Sequence, residues 1–177
     1  MKRIGIVSDT HGMWDEKLED FFKGCNEIWH AGDIGSIELA NTIAAFKPLR
    51  AVHGNIDDTK VRKAYPKIQR FNCEDVDVLM THIAGHPGKY DKKILPILTS
   101  TPPAMLICGH SHIPKVIYDK KYDFLLTNPG EAGDSGFHTI RTAIRLTTVS
   151  YTHLTLPTIN SLYILAAGGP LQTKQSI

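Results

Sequence analysis

The chain has 177 residues, 42% hydrophobic and 21% charged, values of an ordinary globular protein long enough to bury one sizeable core. A formal charge of only +2 creates no bulk attraction to nucleic acid or to a membrane surface, so double-stranded DNA is not expected as the main partner. Three widely spaced cysteines (Cys25, Cys73, Cys108) cannot close a disulfide framework, and no apolar run is long enough for a membrane span. Met1-Lys2-Arg3 leads straight into a β-branched run without a signal-peptide pattern, which predicts a cytoplasmic protein.

Ile4–Val7 reads as a buried strand that ends in Ser8-Asp9-Thr10-His11-Gly12. Trp14, Leu18, Phe21 and Phe22 fall at helical spacing, predicting a helix over Trp14–Phe22 with Gly24 as its stop. A second strand, Glu27–Trp29, runs into His30-Ala31-Gly32-Asp33. Ser36 reads as an N-cap, and Ile37, Ala40, Ile43 and Ala44 line one face of a helix ending before Pro48. Leu49–Val52 is a third strand, followed by His53-Gly54-Asn55. The alternation of strand and helix predicts a layered α/β sheet with right-handed crossovers.

Beyond Asn55 the pattern loosens into a basic segment, Lys60 to Arg70, with no acid between Asp58 and Glu74. It reads as a solvated face that can also steer anionic substrates. Val76–Met80 is a strand ending at Thr81-His82. Lys89–Leu98 is expected to be a helix interrupted by Pro96, and Met105–Cys108 a strand entering Gly109-His110-Ser111-His112. Lys115–Tyr118 and Phe124–Thr127 read as antiparallel strands, Asn128-Pro129-Gly130 as a turn, and His138–Leu146 as a closing strand. Gly130, Gly133 and Gly136 read as a flexible turn and not as a phosphate loop. The tail, 149–177, is atypical: its start, SYTHLTLPT, resembles a peptide that recurs at the ends of unrelated predicted proteins. The native domain is therefore expected to span 1–148 and the tail to be non-native.

Asp9, His11, Asp33, Asn55, His82, His110 and His112 all lie just past strand ends, and in an α/β sheet such loops converge on one edge. Asp9 and His11 are two residues apart, so in extended backbone both face one side. Seven oxygen and nitrogen donors exceed what one ion needs and suit two ions sharing a carboxylate. Without cations the cluster would gather carboxylates and imidazoles lacking compensating partners. Carboxylate, amide and imidazole donors without thiolate suit Mn, Fe, Ni, Co or Zn. Two divalent ions against two aspartates leave the pocket electropositive, so an anionic oxygen ester is the expected guest. His30, His138 and His153 fit no such position and read as structural or surface histidines, and Cys108 as a small buried hydrophobe.

Asp-x-His, Gly-Asp, Gly-Asn, His and Gly-His-x-His, in that order on strand ends, resemble the calcineurin-like metallophosphoesterase superfamily. The resemblance covers roughly residues 1 to 146 and is closest to the small YfcE-type phosphodiesterase branch. It implies a layered α/β (α+β) fold, a four-layer α/β/β/α sandwich. It also implies two divalent metal ions, manganese first and Ni, Fe, Co or Zn as alternatives. Asp9, His11 and His112 would hold one ion, Asn55, His82 and His110 the other, and Asp33 would bridge them. Asp33, Asn55 and His82 are thereby the expected catalytic positions. The implied activity is hydrolysis of a small phosphate-ester substrate, a phosphodiester, by a metal-bridging hydroxide.

One departure stands out. Many members carry a His directly after the motif Asn, whereas this chain has Ile56, which cannot donate a proton to a poor leaving group. His86 and His53 are nearby but do not occupy that place. The resemblance leaves a phosphomonoesterase, and a non-catalytic protein-binding scaffold on the same fold, as alternatives; the retromer-complex subunit similar to this family is such a scaffold. A homo-oligomer is an open expectation.

Overall fold

The apolar run after Arg3 becomes strand β1 (Arg3–Val7), the centre of a six-stranded sheet. The computed structural model describes residues 1–134 and 140–148 in full, and the backbone alone of 159–166 and 172–173. Helix α1 (Glu16–Phe22) follows β1, starting two residues later than the apolar spacing predicts. Its start is set by Asp15, whose carboxylate accepts from the Leu18 N–H as an N-cap. Strand β2 (Glu27–His30) pairs parallel with β1. Ser36 then caps helix α2 (Ile37–Phe46) by accepting from the Leu39 N–H, and strand β3 (Leu49–Ala51) pairs parallel with β2.

The basic segment is structured. Asp58 caps helix α3 (Thr59–Ala64), and strand β4 (Ile68–Cys73) begins the second sheet, where sequence periodicity predicted neither. Strand β5 (Val76–Thr81) pairs antiparallel with β4. The expected helix over Lys89–Leu98 is corrected. Gly85–His86 and Lys89–Tyr90 form a two-residue hairpin, β6 and β7, and helix α4 spans only Leu95–Ser100. Pro96 sits in the first turn of α4, where its missing N–H has no partner to lose, so it starts the helix and does not interrupt it.

Strand β8 (Met105–Ile107) lies parallel between β5 and β10 (Phe124–Asn128), and β9 (Lys115–Asp119) pairs antiparallel with β10 at the edge. Strand β11 (Thr142–Thr148) returns to the first sheet antiparallel to β1, starting later than the expected closing strand. Residues 135–139, and with them His138 and Gly136, lie outside the described residues, as does His153. Strand β12 (Ile159–Ala166) pairs with β11, and β13 (Gln172–Thr173) with β12. Among the described residues no helix is long and apolar enough to cross a membrane.

Strand alternation sorts side chains into four layers. Ile4, Ile6 and Trp29 from one sheet meet Val78, Met80, Met105 and Ile107 from the other, forming the central core. Each fully buried aliphatic side chain there contributes about 1.5–3 kcal/mol. On the outer face of the first sheet, Val7 and Ile28 pack under Phe21, Phe22, Leu39 and Ile43 of α1 and α2. On the outer face of the second, Leu79, Leu106 and Leu126 pack under Ile94 and Leu98. The result is the expected α/β/β/α sandwich, with β1 and β2 ending parallel in one sheet and β5 and β8 ending parallel in the other.

Candidate metal centre

Asp9 and His11 follow β1, Asp33 follows β2, His82 follows β5, and His110 and His112 follow β8. The loops are stitched to one another by main-chain bonds. The Asp9 N–H donates to Gly32 O at 3.0 Å, that of His11 to Asp33 O at 3.1 Å, and that of Gly109 to His82 O at 3.0 Å. Glycine precedes three of the donors because neighbouring side chains (His82 at Gly32, Asp33 at Gly54, Ser8 and Asp9 at Gly109) come close to the backbone there. A Cβ at Gly54 would overlap Asp33 Oδ1, and one at Gly109 would overlap Ser8 Oγ.

Seven non-glycine residues among those described have positive φ, and five are candidate donors: Asp9, His11, Asp33, His110 and His112, at φ from 49° to 67°. For residues with a Cβ such backbone costs on the order of 1 kcal/mol each, and it persists only where surroundings impose it. Here the imposing contacts are visible. The Asp9 carboxylate accepts from the His110 N–H at 3.1 Å, and the Asp33 carboxylate from the Ile56 N–H at 3.0 Å.

The donors fall into two adjacent groups. One atom each from Asp9, His11 and His112 lies within 4.8 Å of the others, and so does one each from Asp33, His82 and His110. The imidazoles pair correspondingly, His11 with His112 at 5.4 Å between ring centroids and His82 with His110 at 5.2 Å. His82 joins the groups, with Nε2 3.2 Å from Asp33 Oδ2 and 3.9 Å from Asp9 Oδ1. His112 Nε2 stands 3.3 Å from Asp9 Oδ1. Asp9 Oδ1, His11 Nε2 and His82 Nε2 are buried without a hydrogen-bond partner among the described residues. Each such orphan costs about 1–3 kcal/mol unless something satisfies it.

Tautomers follow from the outer contacts. His82 Nδ1 lies 2.8 Å from Ala31 O, so it carries the proton and leaves the Nε2 lone pair aimed into the cluster. Burial pushes the Asp9 carboxyl up, and the nearby imidazoles offset this only partly. For Asp33, burial is outweighed by the adjacent His82 imidazole in its protonated form and by the Ile56 N–H, so its carboxyl lies below the usual range. Burial likewise lowers His82, but Asp33 and Asp9 more than reverse this and raise it.

Asn55 is the one candidate outside the two groups of acid and imidazole donors. It is exposed at the rim, and its carbonyl accepts from Arg62 Nη2 at 2.8 Å. His30 is structural, as expected: Nδ1 accepts from the Gly32 N–H, Nε2 bonds Thr10 Oγ1, and burial drives its pKa down to about 3. Cys108 is buried, and burial pushes its thiol up to about 12.

Three supporting residues escape the sequence reading. Glu131, 2% exposed, places Oε2 3.0 Å from His112 Nδ1, within pairing distance of that ring, while neither carboxylate oxygen has a hydrogen bond among the described residues. Asp57, buried, accepts from the N–H groups of Gly35 and Gly54, tying the second and third loops together. Asn128 donates to Gly109 O at 2.8 Å and braces the last loop. The expected flexible turn at Gly130 and Gly133 is corrected as well. Ala132 and Gly133 donate to Ser8 O and Asp9 O, so this segment is packed against the first loop.

Comparisons with known proteins bear on the family and the fold. The family model described as the calcineurin-like phosphoesterase superfamily domain matches residues 1–151. A protein named "Probable metallophosphoesterase" from Methanothermobacter thermautotrophicus is 28% identical over 132 residues, 72% of this chain and 75% of that one. An archaeal phosphodiesterase structure is similar with a TM-score of 0.63 and 24% identity, over 82% of this chain and 93% of that one. Vacuolar protein sorting 29 from Cryptosporidium parvum is similar with a TM-score of 0.74 and 14% identity, over 98% and 95%. At these identities the two structures speak for the fold.

Proposed function

The chain belongs to the calcineurin-like phosphoesterase superfamily, and on that premise we propose that it is a metal-dependent phosphodiesterase working with two divalent ions, manganese first. The observation that carries this reading is the pair of adjacent donor groups, with buried Asp9 Oδ1, His11 Nε2 and His82 Nε2 left without partners. Divalent cations satisfy such atoms, and the mixed carboxylate and imidazole set suits borderline metals. We assign Asp9, His11 and His112 to one ion, Asn55, His82 and His110 to the other, and Asp33 to both.

Bound there, the ions would supply a hydroxide nucleophile at neutral pH and charge stabilisation for the phosphoryl oxygens. The chain's own work is to hold the donors still. Ala31 O fixes the His82 ring, Glu131 pairs with His112, and the Ile56 N–H holds Asp33. Asp33, Asn55 and His82 are the catalytic positions in this reading. Ile56, 51% exposed, offers no proton to a leaving group, so esters that leave readily as anions are favoured. All of these residues precede Thr148, and we place the catalytic unit at 1–148.

The test is hydrolysis of bis(p-nitrophenyl) phosphate with added manganese. Turnover that EDTA abolishes, and that falls to background in Asp33→Ala and His112→Ala, is expected. Unchanged turnover in either variant overturns the assignment. A faster rate on p-nitrophenyl phosphate would make the protein a phosphomonoesterase. Metal bound without turnover would make it a binding scaffold.

A further inference from the structure

A cleft of ≈ 120 Å³ opens beside the donor groups, lined by His53, Asn55, Arg62, Lys67, Thr81 and His82 among others. His82 and Asn55 line the cleft and are also assigned to the second ion, so the cleft opens directly from that ion's place. The Arg62 guanidinium is held in place by carbonyls: Nε donates to Asp57 O at 2.6 Å and Nη2 to Asn55 O at 2.8 Å. Neither acceptor is charged. Lys67 lies against Lys93, whose ammonium pushes the Lys67 pKa below its ordinary value, and Asp91 offsets this only in part. Among the described residues, none of Arg62, Lys67 and Lys93 forms an ion pair with a carboxylate.

Arg62 and Lys67 line one cleft with Asp91 as only a partial offset, and an anion between them removes their mutual repulsion. With the scissile phosphoryl group at the donor cluster, as proposed above, the Arg62 and Lys67 end of the cleft faces a different negative group. We infer that it is a subsite for a second phosphate carried by the substrate, held by Arg62 and Lys67. The inference rests on the phosphoesterase reading and narrows it to phosphodiesters that bear an additional terminal phosphate.

Thymidine 3′-(p-nitrophenyl phosphate) and its 5′-phosphorylated form differ only in that group. With the full-length, manganese-loaded chain, kcat/KM for the 5′-phosphorylated ester is expected to be about tenfold higher, as one charge-assisted contact provides. The ratio of the two substrates falls to near unity in Lys67→Gln and is kept in Lys67→Arg. A ratio of unity in the wild type, or one that survives Lys67→Gln, overturns the subsite. If neither ester is hydrolysed, the phosphodiesterase reading fails, and calorimetry then decides the subsite alone. Thymidine 3′,5′-bisphosphate binding about tenfold tighter than thymidine 3′-monophosphate, with the advantage lost in Lys67→Gln, supports it. Equal affinities overturn it.

Discussion

Replacing Glu131 by Gln separates the two proposed ion sites. Glu131 is buried, and its Oε2 lies 3.0 Å from Nδ1 of His112, a member of the first donor group only. Glutamine keeps the size and an accepting oxygen, so the ring stays in place, but the carboxylate charge that makes the imidazole a better donor is gone. Losing such an outer partner weakens metal binding by about 10–100-fold, which corresponds to about 1.4–2.7 kcal/mol. The second group, Asp33, His82 and His110, takes its outer hydrogen bond from Ala31 O through His82 and has no contact with Glu131 to lose. Calorimetric titration of metal-free protein with manganese therefore shows two binding events in the wild type. In Glu131→Gln only one of them weakens. If both events weaken equally, or neither changes, the division of donors into two sites through His112 and His82 is refuted.

Ile56→His adds an imidazole where the chain has none. Turnover of esters with poor leaving groups should rise by about 10²-fold relative to aryl diesters, and an unchanged ratio in parallel assays would count against the leaving-group argument. The Arg141 guanidinium pairs with Asp15 at 2.6 Å, and its hydrogen bond is the largest influence holding that carboxyl below its ordinary range. A carboxyl depressed on folding stabilises above its unfolded pKa and loses that effect as pH falls through the folded one. Asp15→Asn keeps the N-cap, so at pH 7 it should cost under about 1 kcal/mol for a half-exposed pair. Urea titrations should show the difference closing below about pH 4. A chain ending at Thr148 keeps the Thr148 bonds to Lys2 and Glu74 that anchor β11, and should melt within about 4 °C of the full chain; a loss of several kcal/mol would move the domain boundary.

Local pattern carried most of the donor positions. Asp9, His11, Asp33, His82, His110 and His112 each follow an apolar run, and the neighbouring glycines mark tight approach, so strand ends and ligands were readable together. Helix α3 and strand β4 were not. Only Val61 of α3 and Cys73 of β4 are buried, and the rest of the segment is exposed or half-buried, leaving little periodicity to detect. The β6–β7 hairpin is too short to alternate, so Lys89–Leu98 imitated a single helix. Glu131 and Asp57 were illegible for another reason. Each matters through a contact with a loop distant in sequence, and a carboxylate carries no local sign of the partner it will meet.

The left-handed backbone at five donors has a practical corollary. The loops are cross-linked to one another by main-chain bonds that involve no ion, so the cage owes its shape to folding and not to what fills it. A stripped sample should keep its secondary structure and regain activity as soon as cations are returned, at the speed of diffusion and dehydration. Nothing needs to refold, and exchange of one metal for another becomes a matter of supply.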